Sequence, residues 1–352
     1  FWVVVVAIEA IAGAKILALW LPHIEPWLIG VVLMALLTGV NLLSTRSYGE
    51  FEFWFSLLKV LAIIGFILIA GSWATGLTSP SGSTFGNLTA HGGFAPAGWG
   101  GVLAAVASTI FALCGAEIST VAAAESAEPA KAVARLSLSV TVRIVVFYIL
   151  SILMIVAVVP WNQVVPGYSP FATTLAAINV PGGETIMNLV VLVAVLSCLN
   201  SGLYVTSRAL FGLAGHGDAP QWLVKLNTRQ VPVRAVLVAS LFSYGALAME
   251  RLSPDTVFSF LINSSGITML LLYLMVAAAQ LRTRARLERE NPAALQLKMW
   301  FHPFGTLLAV AAMLAVIAFM ALNPALASQF WASLAVAALF LVGFGAMKMA
   351  RS

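Results

Sequence analysis

An all-α bundle of membrane-spanning helices is the fold this sequence predicts, and three observations predict it. Hydrophobic residues fill 61% of the 352 positions and charged residues 9%, where a soluble domain carries roughly 25% charged. The apolar residues gather into ten stretches, each close to the ~20 helical residues that cross a hydrocarbon core. The basic residues crowd into alternate connections between those stretches, as in a multi-pass membrane protein. No soluble packing hides so much apolar surface. The net charge of +5 is not a nucleic-acid footprint, because Lys and Arg sit in short loops and not along one face. The chain opens on Phe-Trp-Val-Val-Val-Val without an initiator Met, and is read as a fragment lacking its true N-terminus.

The expected spans are 1–20, 27–45, 53–73, 100–122, 137–159, 184–210, 233–250, 256–279, 304–322 and 328–347. Each is helical because an apolar run of this length must satisfy its own peptide groups in lipid. The connections 44–52, 123–136, 211–232 and 280–303, with the C-terminus, hold nearly all the Lys and Arg that fall outside the spans. The other set, 21–26, 74–99, 160–183, 251–255 and 323–327, holds only Arg251. This asymmetry places both ends of the chain in the cytoplasm. The uncharged loop from Ala74 to Gly98 and the segment Pro160–Gly183 are then extracytoplasmic, with a short surface helix over Pro170–Ile178. Arg282–Glu290 continues the eighth span as a solvated charged helix, and Gly217-Asp-Ala-Pro220 is a turn leading into a short helix.

Charge inside the membrane is costly, so the few buried ionisable residues are the candidates for function. Glu117 lies deep in the fourth span, in Phe111-Ala-Leu-Cys-Gly-Ala-Glu-Ile-Ser-Thr120. Gly115 weakens the helix there, Ala112 and Ala116 admit other backbone, and Ser119 and Thr120 can cap a restarted helix. The segment is read as a discontinuous transmembrane helix. Its freed carbonyls suit an ammonium, and the N-terminus of its second half suits a carboxylate, so the break fits a zwitterion. Glu117 either holds the break together or exchanges a proton; the alternative is a protonated carboxyl bonded to a neighbouring helix. Lys59, in the third span, is a fixed cation about two turns from the cytoplasmic end, within snorkelling reach of it. Glu9 is a further carboxylate and a partner for charge or substrate. Lys15 lies about 240° round the same helix and is expected to snorkel to the outer interface. Asn200, Ser201, Asn263, Ser264 and Ser265 are expected to make helix-to-helix hydrogen bonds, and Phe111 either packs or closes over a ligand.

Cys114 and Cys198 are read as buried free thiols, and the four histidines are scattered singly. The sequence offers no phosphate-cradling glycine loop, no paired metal ligands and no nucleophile with a nearby base, so neither an enzyme nor a cofactor is expected.

Asn41-Leu-Leu-Ser-Thr-Arg-Ser-Tyr-Gly-Glu-Phe-Glu-Phe-Trp54 running into Lys59-Val60 resembles the loop and fifth helix of bacterial amino acid permeases of the amino acid–polyamine–organocation superfamily. Phe111–Glu125 followed by Pro129, Lys131, Arg135 and Arg143 resembles their sixth helix and the loop after it. Ser197–Ser201, Gly217–Pro220 and Phe260–Gly266 add matches, and Gly115–Ile118 with Ala122–Ser126 is most similar to the γ-aminobutyrate permeases. The resemblance covers the whole chain. It implies one transmembrane domain over 1–352, the third to twelfth helices of a LeuT-like inverted-repeat fold in the bacterial inner membrane. It also implies a transporter with an amino acid and protons as its partners. By resemblance Phe111 is the aromatic gate, Gly115 and Glu117 lie at the broken helix, Lys59 stands in place of a sodium ion, and Glu9 lines the path. Ala214-Gly-His216 departs from the basic residues usual before Gly217. The leading expectation is proton-coupled import of γ-aminobutyrate or a similar small zwitterion. The rivals are a permease for an aromatic or basic amino acid, a transport-inactive amino acid sensor, and a multi-span membrane enzyme.

Overall fold

The computed structural model describes residues 1–43, 45–115, 128–165, 168–295, 298–299 and 301–349. Helix is the only regular structure among them apart from turns and short 3-10 segments. The helices are α1 (Trp2–Ala18), α2 (Pro26–Leu43), α3 (Thr45–Ala74), the single turn α4 (Asn87–Ala90) and α5 (Gly98–Leu113). Then α6 (Pro129–Arg143) passes through a π-helical turn, Ile144–Ile149, into α7 (Leu150–Val158). The remainder are α8 (Pro170–Ala177), α9 (Gly183–Gly215), α10 (Val233–Leu252), α11 (Pro254–Glu290), α12 (Phe304–Leu322) and α13 (Pro324–Met349).

Eight helices among the described residues are long and apolar enough to cross a membrane. Of the other two expected spans, 1–20 holds the 17-residue α1 and the described part of 100–122 holds the 16-residue α5. Two helices start eight residues before expectation. α3 begins at Thr45, within the connection expected over 44–52, and α6 begins at Pro129, eight residues before the expected 137. Hydropathy marks where a helix leaves lipid, whereas the peptide hydrogen bonds continue into the polar flank.

The chain forms two compact units. The first contains Phe1–Pro96 and Ile149–Leu261. In it α1 packs against α2, α9 and α10, while α3 packs against α7, α8 and α9. Small side chains let these helices approach, because lipid supplies no hydrophobic force to drive them together. Ala7, Ala10 and Ala14 on α1 are fully or nearly fully buried. A Cβ added to Gly202 of α9 would sit 2.9 Å from Val6 Cγ2 of α1. Around α3 the core is Phe66, Ala70, Met154, Ala172 and Leu175, with Phe66 and Phe171 edge to face at 4.9 Å.

The second unit contains Ala97–Tyr148 and Ile262–Ala346. There α5 packs against α12, and Ile267, Leu270, Val316, Met320 and Phe330 form a buried cluster touched by Val106 and Ile110. The charged end of α11 is tied by i,i+4 pairs, Arg284–Glu288 at 2.9 Å and Arg286–Glu290 at 2.7 Å.

Candidate functional site

Two places bring sequence-predicted residues together, one in each unit. In the first unit, Lys59 extends its side chain back along α3, in the direction a helical Cα–Cβ bond already points. It covers the two turns, about 10 Å of rise, to reach Glu52: Nζ and Oε1 are 3.4 Å apart. The closer link runs through α9. Ser197 Oγ accepts from Lys59 Nζ at 3.0 Å and donates to Glu52 Oε1 at 2.6 Å. One hydroxyl thus serves cation and anion together and joins α3 to α9.

The next residue of α9, Cys198, lies beside Glu9 of α1. Glu9 also feels the charge of Lys59, and Cys198 that of Lys59 and Glu52. Among the described residues, Glu9 and Lys59 therefore belong to one charge system with a single cation and two carboxylates. Neither cysteine is in a disulfide, as expected, but both are partly exposed and not buried. Asn41 Nδ2 donates to Asn200 Oδ1 at 2.7 Å between α2 and α9, a helix-to-helix bond of the expected kind.

Lys15 differs from expectation. It does not simply snorkel: its Nζ lies 2.9 Å from Glu250 Oε1, donates to the Pro254 carbonyl at 3.2 Å and sits 5.3 Å from the centre of the Phe258 ring. The Glu250 side chain is only 5% exposed, so its charge draws the ammonium inward. The contact is an ion pair and not a hydrogen bond, since neither carboxylate oxygen meets hydrogen-bonding geometry.

In the second unit, α5 carries Phe111 and Ala112 to its last turn and stops at Leu113. Gly115 follows at φ +113°, a backbone value that side-chain-bearing residues rarely adopt. A helix that stops inside an apolar run leaves its last carbonyls without helical partners. Two of them are met locally: Cys114 Sγ donates to the Ile110 carbonyl at 3.0 Å, and the Tyr148 hydroxyl to the Ala112 carbonyl at 3.1 Å. Tyr148 lies on the π-helical turn, which displaces side chains from ordinary helical register. Tyr273 adds a longer contact to Cys114 Sγ at 4.0 Å. Ala116, Glu117 and Ser119 lie outside the described residues, as do the side chains of Phe111 and Asn263. Ser265 and Thr268 donate to carbonyls of their own helix, at Ile262 and Ser264. No cluster of three His, Cys, Asp or Glu suited to a metal occurs among the described residues.

Sequence reasoning missed Glu52, Ser197 as a bridge, Tyr148 and Glu250. Only Glu52 left a signal, seven residues before Lys59 and on nearly the same helical face.

Residues 1–350 match the amino acid permease family. The γ-aminobutyric acid permease of Bacillus subtilis is 47% identical over 322 residues, covering 91% of this chain and 69% of that protein. A probable GABA permease of Pseudomonas aeruginosa is 41% identical over 100% of this chain and 74% of its own length. The γ-aminobutyric acid permease of Escherichia coli is 42% identical over 92% of this chain and 70% of its own.

Proposed function

We propose that this chain, which belongs to the amino acid permease family, imports a small zwitterion of the γ-aminobutyrate class together with protons, by alternating access. It is a multi-pass membrane protein of amino acid transport and not an enzyme. We place it in the bacterial plasma membrane with both ends of the chain cytoplasmic, on the distribution of Lys and Arg. The single observation that carries the reading is the stop of α5 at Leu113 with Gly115 in a left-handed conformation. A helix end inside an apolar segment presents peptide dipoles where water is scarce, so a ligand bearing both charges gains most from them.

In this reading the carbonyls at the end of α5 receive the substrate ammonium. N–H groups after Gly115, from Ala116 to Ser119, receive its carboxylate. Phe111 closes over it, and Ala112 and Ala116 leave it room. Glu117 takes up and releases the coupled proton, while Lys59 supplies the positive charge that links moving helices and Glu9 balances it. The direct test is uptake of labelled γ-aminobutyrate by bacteria lacking their own permease and expressing the protein that carries this chain, with Glu117→Gln beside it. The expected result is saturable uptake that is faster at acid pH, and in the variant a loss of at least about tenfold. Uptake in the variant that matches the parent at every pH removes Glu117 from the mechanism. Preference for an aromatic or basic amino acid in competition overturns the substrate assignment.

A further inference from the structure

Lys59 has a built anchor that the transport reading does not use. Ser197 and Glu52 hold its ammonium at one end of its reach, at 3.0 and 3.4 Å, and the same hydroxyl closes on Glu52 at 2.6 Å. On the other side of Ser197, one residue along α9, Cys198 lies beside Glu9. Among the described residues packed on α3, α7 (Leu150–Val158) and α8 (Pro170–Ala177) bring no charged residue. Among the described residues, the groups facing Lys59 are Glu52 on its own helix, Ser197 and Cys198 on α9, and Glu9 beside Cys198. One cation between two carboxylates cannot neutralise both at contact distance, and charge left alone in an apolar surrounding is costly.

We propose that Glu52 is the positioning residue of Lys59: through Ser197 it holds the ammonium at one station, and transport requires Lys59 to leave that station toward Glu9 and return. The idea rests on the transport reading but concerns a residue that need not touch substrate. Lysine suits the task because its four-carbon stem sweeps several ångströms without backbone movement. Serine suits the bridge because its hydroxyl accepts from the ammonium while donating to the carboxylate. Losing the carboxylate removes the return station. The cation then settles toward Glu9 and Cys198, and the cycle slows while the substrate-binding helix end is untouched.

The experiment compares Glu52→Gln and Glu52→Asp with the parent in two assays. In γ-aminobutyrate uptake, Glu52→Gln lowers kcat about tenfold or more with KM within about twofold, and Glu52→Asp recovers most of the rate. Equal rates for parent and Gln variant overturn the proposal, as does a defect confined to KM. The second assay needs no transport. In a Cys114→Ser background, alkylation of Cys198 by a small maleimide in membranes reports where the Lys59 cation lies, since a nearby cation favours the reactive thiolate. Glu52→Gln accelerates labelling about threefold or more, and most of the gain disappears when Lys59 is also changed to Met. Unchanged labelling, or a gain that persists in full without Lys59, overturns the anchor. If the parent takes up no γ-aminobutyrate, the transport reading fails by itself, and the labelling result still decides whether Glu52 holds Lys59.

Discussion

Replacing Lys15 should damage the protein more than replacing its partner Glu250, although both changes break the same ion pair. Lys15→Met leaves Glu250, 5% exposed, with no cation at contact distance and no hydrogen bond to either oxygen. Orphaning one member of a fully buried pair costs about 3–5 kcal/mol. The Lys15 side chain is 29% exposed, so solvent already reaches the pair, and a cost of about 2–3 kcal/mol is expected. Glu250→Gln leaves a lysine that still donates to the Pro254 carbonyl and faces Phe258, so its cost is nearer 1 kcal/mol. At roughly 2 °C per kcal/mol for a long chain, the melting temperature in detergent falls by about 5 °C and about 2 °C respectively. Lys15→Met with Glu250→Leu removes both charges and recovers most of the loss, because an apolar pair carries no desolvation penalty. The assay is the monodisperse fraction surviving a temperature series. Equal losses in the two single variants, a worse loss in Glu250→Gln, or a double variant as poor as Lys15→Met would each refute the reasoning.

Two further outcomes follow from packing and from the helix end. Gly202→Ala places a methyl 2.9 Å from Val6 Cγ2; this β-branched neighbour has little freedom to yield, so a cost of about 1–3 kcal/mol lowers survival in the same thermal series. Tyr148→Phe removes the donor that fixes the Ala112 carbonyl at 3.1 Å. Single interhelical hydrogen bonds in membranes average about 0.6 kcal/mol, so stability barely moves, whereas KM for γ-aminobutyrate uptake rises about threefold.

The sequence made the number and order of helices legible because crossing lipid imposes a length on every apolar run. It made their ends illegible for the same reason. The first turns of α3 and α6 lie in polar sequence that hydropathy assigns to loops, and Glu52, assigned to a loop with them, kept only its seven-residue spacing from Lys59 as a signal. Lys59 stood out as a charge within an apolar run, but its partners did not. Ser197 is one of many small hydroxyl residues on α9, and nothing local says that it faces α3. Glu250 sits at the end of a span, where a carboxylate ordinarily means an interface; its burial follows from α1 and α11 closing over it. The π-helical turn over Ile144–Ile149 lies in uniformly apolar sequence, so no periodicity reveals the step that brings Tyr148 to Ala112. Gly115 was readable because it alone breaks the helix preference of its neighbours, and α5 stops two residues before it.

The placement of Glu9 and Lys15 on α1 joins these observations. Six residues at 100° each put them about 240° apart and about 9 Å along the axis. α1 is packed by α9 on one side and α10 on another, so Glu9 meets Cys198 of α9 while Lys15 meets Glu250 of α10. One helix thereby carries a charge system coupled to Lys59 and a second that fastens helix ends, with no shared partner between them among the described residues. Perturbations of groups this far apart without common contacts are additive to within about 0.5 kcal/mol. Glu9→Gln should therefore lower uptake by the same factor in the parent as in the Lys15→Met, Glu250→Leu background. Thermal loss from Lys15→Met should likewise be the same with or without Glu9. A transport defect from Glu9→Gln that vanishes in the double background would mean that the two charge systems act as one, and α1 would then transmit force along its axis where we assign it only to hold two faces apart.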